Sequence, residues 1–347
     1  GNILIGNKIV ASATGTKLAS LPCCDTVAGS RSGKLFVSLQ DKKKAARILK
    51  FGMDLSKASP PEEHGSRAQE NKVVEVAAIH GHKAEIRFAV FSPNEELLAT
   101  FSADGEAKVW RTANGENVLT VQSDNSAILE AKNEKDHPKP YASEPKGGLG
   151  FTADGALLVI TSLEGTASIW NISTREKVAD LIGDRDVLDV RLSPVGKTVM
   201  GICASGKIRL WGIDGHLVRE WQAHSKGVTT AAFSPDAKMI VSGSHDGTVM
   251  VWNAENGTPI MKLSGHTAGI TRVEFDSRGQ KILTVGGGWH QLGNEDGSVR
   301  IWNVSNRYLI EVLRPAGGKA SDARFDLSGE RIVLVPVDSD QPIENKR

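Results

Sequence analysis

The chain has 347 residues, with 42 Lys plus Arg against 41 Asp plus Glu and a formal net charge of +1. That balance gives no global attraction for nucleic acid or an anionic membrane surface. No apolar run approaches the roughly 18 residues of a membrane span, and three cysteines without Cys-x-x-Cys spacing argue against a disulfide framework or a thiolate zinc site. Cys23, Cys24 and Cys203 are read as thiols of a reducing, cytoplasmic compartment, and the adjacent Cys23 and Cys24, at the start of a central strand, as buried.

Along the chain, runs of four to seven β-branched or apolar residues are fenced by Gly, Pro, Asp or Asn. This is the signal of short antiparallel strands joined by hairpins. One turn recurs in register: SRSG at 30–33, SPNE at 92–95, TADG at 152–155, SPVG at 193–196, SPDA at 234–237, DSRG at 276–279 and DLSG at 326–329. Six of these follow Phe91, Phe151, Leu192, Phe233, Phe275 or Phe325, and the central spacings are about 41 residues. A second mark agrees, an aromatic in the third strand at Phe51, Trp110, Trp170, Trp211, Trp252 and Trp302. A lone four-stranded sheet cannot bury both faces, and a period of roughly 40–45 residues is that of propeller blades. The predicted fold is all-β, a seven-bladed β-propeller of four-stranded antiparallel blades.

Taken in order, residues 1–21 are expected to supply strands c and d of the closing seventh blade, with Gly6–Val10 on the third strand and Thr16–Leu21 on the fourth. Blade 1 occupies 22–79 and carries an insertion at 52–71. Blade 2 spans 80–122, and a polar insertion at 123–146 precedes blade 3 at 147–182. Blade 4 spans 183–222, blade 5 spans 223–263, and blade 6 spans 264–313 with an insertion at 286–294. Residues 319–337 give strands a and b of blade 7. A composite blade from both termini is thus expected to remove the open sheet edges. A competing register puts Gln341–Asn345 on the third strand with Glu344 in the Trp position; Pro342 and a buried Glu count against it.

The sequence resembles the WD40 repeat family along essentially its whole length. Gly81-His82 with Trp110, and Gly265-His266 with Trp302, match the family's Gly-His and Trp-Asp marks, and Ala223-His224 with Trp252 is a near match. The second letter of Trp-Asp is Asn171, Asn253, Asn303, Gly212 or Arg111 here; Asn and Gly suit a turn that follows at once. The resemblance implies hydrogen-bonded tetrads of loop His, strand-b hydroxyl, turn Asp and strand-c Trp. The matching sets are His82, Thr100 or Ser102, Asp104 and Trp110; His224, Ser242 or Ser244, Asp246 and Trp252; and His266, Thr284, Asp296 and Trp302. These His and Asp residues are read as structural, because buried polar groups need partners. The blade of Trp170 has Glu164 in place of Asp and no His. That of Trp211 has Ser205 and a Gly183-Asp184 pair, and the first has Phe51 with neither His nor acid. These three are expected to rely on apolar packing alone and to be softer.

The resemblance also implies that b–c and d–a loops share one face. That face would carry the second and third insertions, Lys42, Lys43 and Lys44, Lys226 and Arg272, and the conspicuous pair Trp289-His290. These seven residues are the candidate partner-binding set. No His-Glu-x-x-His, phosphate-cradling loop or Gly-x-Ser-x-Gly is present, and the run Ser244-His245-Asp246 lies along one tight turn whose side chains point apart. No catalytic residue, metal or cofactor is expected. The reading is a non-catalytic scaffold, a monomeric ring that binds a protein or peptide on its loop face, without specific nucleic acid or membrane. The alternatives are a sensor or regulatory propeller of a larger chain or complex and, further off, an enzyme with a channel-mouth site.

Overall fold

The computed structural model describes residues 2–5, 8–11, 17–20, 26–30, 32–40, 44–53, 71–122, 148–162, 165–183, 186–287, 296–315, 318–326, 329–336 and 344–346. They form two compact units, Gly1–Val121 and Gln122–Arg347. Every regular element is a strand.

The first unit holds three sheets. β1 (Asn2–Ile5), β2 (Lys8–Ala11) and β3 (Lys17–Ser20) form a three-stranded sheet. β4 (Thr26–Gly29), β5 (Leu35–Gln40), β6 (Ala45–Met53) and β7 (Asn71–Ile79) form a sheet of four. So do β8 (Ile86–Phe91), β9 (Leu97–Ser102), β10 (Glu106–Arg111) and β11 (Asn117–Gln122). Val37, Ile48 and Ile79 from one sheet pack with Ile86, Leu98 and Trp110 from the next, so the core lies between sheets.

The second unit holds five more. β12 (Gly148–Phe151), β13 (Leu157–Thr161), β14 (Ala167–Asn171) and β15 (Lys177–Leu181) make one sheet. β16 (Val187–Leu192), β17 (Thr198–Cys203), β18 (Lys207–Gly212) and β19 (Leu217–Gln222) make the second. β20 (Val228–Phe233), β21 (Met239–Ser244), β22 (Val249–Asn253) and β23 (Pro259–Leu263) make the third. β24 (Ile270–Phe275), β25 (Lys281–Gly286), β26 (Val299–Asn303) and β27 (Leu309–Leu313) make the fourth. β28 (Ala320–Phe325), β29 (Ile332–Pro336) and β30 (Glu344–Lys346) make the fifth, of three strands. All pairings are antiparallel, and the first strand of each sheet lies against the first strand of the next, β12 on β16, β16 on β20, β20 on β24 and β24 on β28. Apolar layers such as Met200, Ile202 and Leu210 against Val228, Ala231 and Ile240 fill the spaces between.

Each a–b turn is fixed by its own short polar side chains. In SPDA the Ser234 amide donates to the Met239 carbonyl at 2.8 Å and the Met239 amide to Ser234 Oγ at 2.9 Å. Ser234 Oγ donates to Asp236 Oδ1 at 2.6 Å. The fourth residue of the motif is left-handed in all seven copies: Gly33, Glu95, Gly155, Gly196, Ala237, Gly279 and Gly329. Glycine meets that demand without a Cβ penalty, whereas Ala237 sits at φ 58°. Three of the c–d turns are set by the Asn that replaces Asp after Trp. Asn253 Oδ1 accepts the Glu255 and Asn256 amides at 2.9 and 3.1 Å, and Asn171 and Asn303 do the same.

The terminal sheets correct the sequence reading. β29 does not take Lys8–Ala11 as its third strand but pairs with β30, and β2 lies between β1 and β3, so the residues assigned to one composite blade fall in two sheets. There are thus eight sheets among the described residues instead of seven. Closing a loop over residues 337–343 costs about 3 kcal/mol less chain entropy than joining strands more than three hundred residues apart. Pro342 also falls before the strand. The pairs Leu334–Glu344 and Ile332–Lys346 put Lys346, not Glu344, opposite the residue that faces Trp elsewhere. Val10 pairs with Lys17 across a bulge, the spacing by which Trp252 pairs with Pro259, and β1 lies on the other side of β2.

Replacing Ala237 with Gly removes the left-handed penalty at one turn while loosening the unfolded chain. The net expectation is a stabilisation of up to about 1 kcal/mol, read as a higher urea midpoint at unchanged slope.

Candidate functional site

In all three predicted sets the Trp, the strand-b hydroxyl and the His come together around a buried indole whose N–H can only donate, but the Asp meets the imidazole directly only at His266. Trp110 Nε1 donates to Thr100 Oγ1 at 2.8 Å, Trp252 Nε1 to Ser242 Oγ at 2.8 Å, and Trp302 Nε1 to Thr284 Oγ1 at 2.9 Å. The same hydroxyls lie 2.7 Å from Nε2 of His82, His224 and His266. Of the alternatives left open by the sequence, the structure selects Thr100 and Ser242. Ser102 turns onto Asp104, and Ser244 Oγ donates to the carbonyls of Lys226 and Gly227. Ser244-His245-Asp246 is therefore no triad.

The far side of each imidazole differs. His224 Nδ1 lies 2.6 Å from Thr248 Oγ1, which donates to Asp246 Oδ1 at 2.5 Å. Each hydroxyl has one proton, so the order is fixed: indole N–H to Ser242, Ser242 to Nε2, Nδ1–H to Thr248, Thr248 to Asp246. His266 Nδ1 meets Asp296 directly, and Ser298 Oγ donates to the same carboxylate at 2.6 Å. In the blade of Trp110 the acid facing His82 is Glu106, at 3.7 Å, and not Asp104, whose Oδ1 accepts the Ser102 hydroxyl and the Glu106 amide. The sequence reading thus missed a fifth position, four residues before Trp, held by Glu106, Thr248 and Ser298. A polar residue at that fixed offset in all three blades is the signal that would have found it.

Burial lowers the His82 and His224 pKa from 6.5 to about 4. Burial also lowers that of His266, against the opposing pull of Asp296. Burial would raise Asp246, but hydrogen bonds from Thr248 and Ser225 outweigh it and bring the carboxyl to about 2.

The blade of Trp211 corrects the expectation of apolar packing alone. Gly201 stands where the tetrad hydroxyl belongs; a Cβ there would lie 2.5 Å from Trp211 Cζ3. The indole takes that space and donates to the Ile182 carbonyl at 3.2 Å. Behind it Arg209, 1 % exposed, bonds Asp186 through Nη1 and Glu220 through Nε. Lys207 Nζ reaches Glu220 at 2.7 Å, and Ser205 donates to Asp186. Burial works against the charged Asp186, yet Ser205 and Arg209 hold its pKa below the usual carboxylate range. Burial pushes the neighbouring Cys203 thiol up to about 12, which leaves it inert at neutral pH. In the blade of Trp170 the indole donates to Ser168 Oγ at 2.9 Å. Cys23, Cys24, Asp184, Glu164 and the side chain of Phe51 lie outside the described residues.

The b–c turns and the loops entering the next blade are tied to one another. The His245 amide donates to the Gly227 carbonyl at 3.2 Å, Gly287 to Gly269 at 2.9 Å, and the Ala223 and His224 amides to Gly206 at 2.9 and 3.0 Å. In the second unit these loops accordingly share a face. The a–b and c–d turns are tied in the same way elsewhere, through Ala254 to Lys238 at 2.9 Å and Val304 to Gln280 at 3.0 Å. Lys226 is exposed on the first of these faces, and Lys44 is exposed in its turn. Arg272 is not available as expected, since its guanidinium bonds Asp322 and lies 3.8 Å from Glu274. Lys42, Lys43, Trp289 and His290 lie outside the described residues, as do most of the three insertions. Among the described residues no group of three His, Cys, Asp or Glu side chains is placed to hold a metal ion.

Two outcomes follow from these networks. With His82 and His224 neutral when folded and near 6.5 when unfolded, the unfolded chain binds more protons between pH 6.5 and 4. Stability is therefore full above about 6.5 and falls as pH drops toward 4, by about 3 kcal/mol for each imidazole in denaturant titrations across that window. Arg209→Met strands Asp186 and is expected to cost about 3–5 kcal/mol by chemical denaturation, whereas replacing Asp186, Arg209 and Glu220 together with apolar residues costs less.

Comparison with known proteins agrees with this geometry. The model of the WD domain, G-beta repeat, matches residues 73–111, 215–253 and 257–303. The chain is 25% identical over 208 residues to the human (Homo sapiens) angio-associated migratory cell protein, covering 58% of this chain and 43% of that protein. It is 28% identical over 232 residues to human WD repeat-containing protein 37, covering 59% and 46%. It spans less than half the length of these relatives. Among solved structures, the C-terminal WD40 domain of Sif2 matches with TM-score 0.65 and 16% identity over 87% of this chain and 75% of that one. The computationally designed Ika8 protein matches with TM-score 0.70 and 19% identity over 99% and 94%. Three stretches of the chain thus match the WD40 repeat, and its antiparallel sheet architecture is that of the β-propeller fold.

Proposed function

We propose that the chain is a non-catalytic interaction module that binds a protein or peptide on the face formed by the b–c turns and the entry loops. WD40 repeats typically serve as protein-interaction scaffolds, and one relative is named for such repeats. The observation that carries the reading is the fate of the titratable groups. The three tetrad imidazoles have buried side chains and are bonded to strand-b hydroxyls through Nε2, each facing a side chain of its own blade through or near Nδ1. The same side chains that would suggest acid–base chemistry in the sequence are thus structural, and recognition falls to the loops that depart from the repeat. The candidate contact residues are Lys42, Lys43, Lys44, Lys226, Trp289 and His290, and the proposed setting is the reducing cytoplasm. A monomer is the proposed state, with no nucleic acid or membrane partner.

A second reading, a regulatory propeller within a longer chain, is favoured by one observation: the relatives are more than twice as long as the part that matches. Affinity capture separates the loop face from the rest of the molecule. Replacing Lys42, Lys43, Lys44, Lys226 and Trp289 with Ala together is expected to weaken at least one captured partner by about tenfold or more. Retention of every partner at wild-type level overturns the assignment of this face.

A further inference from the structure

We propose that β27 is a docking edge for an extended peptide, which adds as a fifth strand to the sheet β24–β27 and carries a Lys or Arg flanked by apolar residues. The inference concerns a surface other than the loop face and stands apart from the interaction reading above. β27 is the outermost strand of its sheet and is paired with β26 on one side. Alternate residues of such a strand turn amide and carbonyl groups away from the sheet, a template for a further strand. The other outer strands of the second unit guard that edge with charge. Opposite the residue two before each Trp stand Asp180 in β15, Glu220 in β19 and Lys262 in β23, all exposed. In β27 the same place, opposite Arg300, is held by Val312. Tyr308 is 72 % exposed, and Leu309, Ile310 and Val312 are 41, 50 and 43 % exposed. Large apolar side chains at 308, 309, 310 and 312 thus face solvent on an edge that lacks the usual guard.

The one charge in the strand selects the occupant. Glu311 is exposed and has no ion pair or side-chain hydrogen bond among the described residues. A second copy fits poorly. Full antiparallel overlap of β27 with its own counterpart sets Leu309 against Leu313, Ile310 against Val312 and Glu311 against Glu311, and like charges directly opposite are destabilising. An incoming strand with a cation at that place reverses the sign of the same contact. The residues on either side of the cation then lie opposite Ile310 and Val312, where β-branched or aromatic side chains make favourable cross-strand pairs. An antiparallel partner therefore reads, from its N-terminus, apolar, Lys or Arg, apolar, with β-branched or aromatic residues continuing toward Tyr308. The main chain of β27 supplies the hydrogen bonds and Glu311 the choice of sequence.

The test measures the fluorescence anisotropy of a dye-labelled peptide, Gly-Thr-Val-Lys-Val-Thr-Tyr-Gly, titrated with the intact chain, and of a control peptide with Glu in place of its Lys. Saturable binding of the Lys peptide is expected, with a dissociation constant on the order of 100 μM for so short a strand. The Glu peptide should bind about tenfold more weakly or worse. Val312→Lys restores the charge that guards β23 and should weaken the Lys peptide by about tenfold or more, while an unchanged urea midpoint reports an intact fold. Glu311→Lys should reverse the preference, so that the Glu peptide binds more tightly than the Lys peptide. No saturable binding, equal affinity for the two peptides, undiminished binding to Val312→Lys, or no reversal in Glu311→Lys overturns the proposal. So does a concentration-dependent dimer in sedimentation that Val312→Lys dissolves, which assigns the edge to a second copy.

Discussion

Burying an indole obliges each blade to find an acceptor for one N–H that can do nothing but donate. The cost of leaving it unmet is of order 1–3 kcal/mol, a large share of a folded protein's margin. The apolar layers between sheets require the indoles at Trp110, Trp211, Trp252 and Trp302 to be buried, so the polar architecture follows from the packing. A strand-b hydroxyl meets the demand in three blades and a main-chain carbonyl in the blade of Trp211. Once a hydroxyl is used, its own proton needs a destination. The histidine supplies it, and the histidine in turn needs an acid or a hydroxyl.

The blade of Trp211 shows what happens when the first link is absent. With Gly201 in place of the hydroxyl there is nothing for a histidine to accept, and the cavity is taken by the indole itself. The acid at Asp186 then lacks an imidazole, and Arg209 answers it from the third strand. A chain of neutral donors is exchanged for a buried ion cluster, closed at the solvent side by Glu220 and Lys207. Such a cluster is strongly coupled: one partner removed is worse than all removed.

Much of this was legible in the sequence. The seven turn motifs and the strand-c aromatics locate the sheets because a left-handed fourth residue and a buried aromatic are demands that few residues satisfy. The tetrad members followed from fixed offsets. Arg209 was not legible, since Lys108, Met250 and Arg300 occupy the same register and only the pairing of Gly201 with Asp186 makes an arginine burial there possible. Glu106 was overshadowed by Asp104, which sits at the usual offset but spends its carboxylate on its own turn. The terminal strands carry no turn motif between them, and their partners depend on loop-closure entropy, which no residue pattern records.

The one-way order of the chain from Trp252 to Asp246 has a consequence for charge movement. A hydrogen-bonded file of hydroxyl and imidazole groups has the makings of a proton wire, since each member can pass one proton as it takes another. This file begins at an indole, whose nitrogen lone pair belongs to the ring and cannot receive. Reversing the order would leave two donors facing each other at Ser242. The wire is blocked at its inner end, and the blade interior is electrically insulated from the carboxylate at its surface.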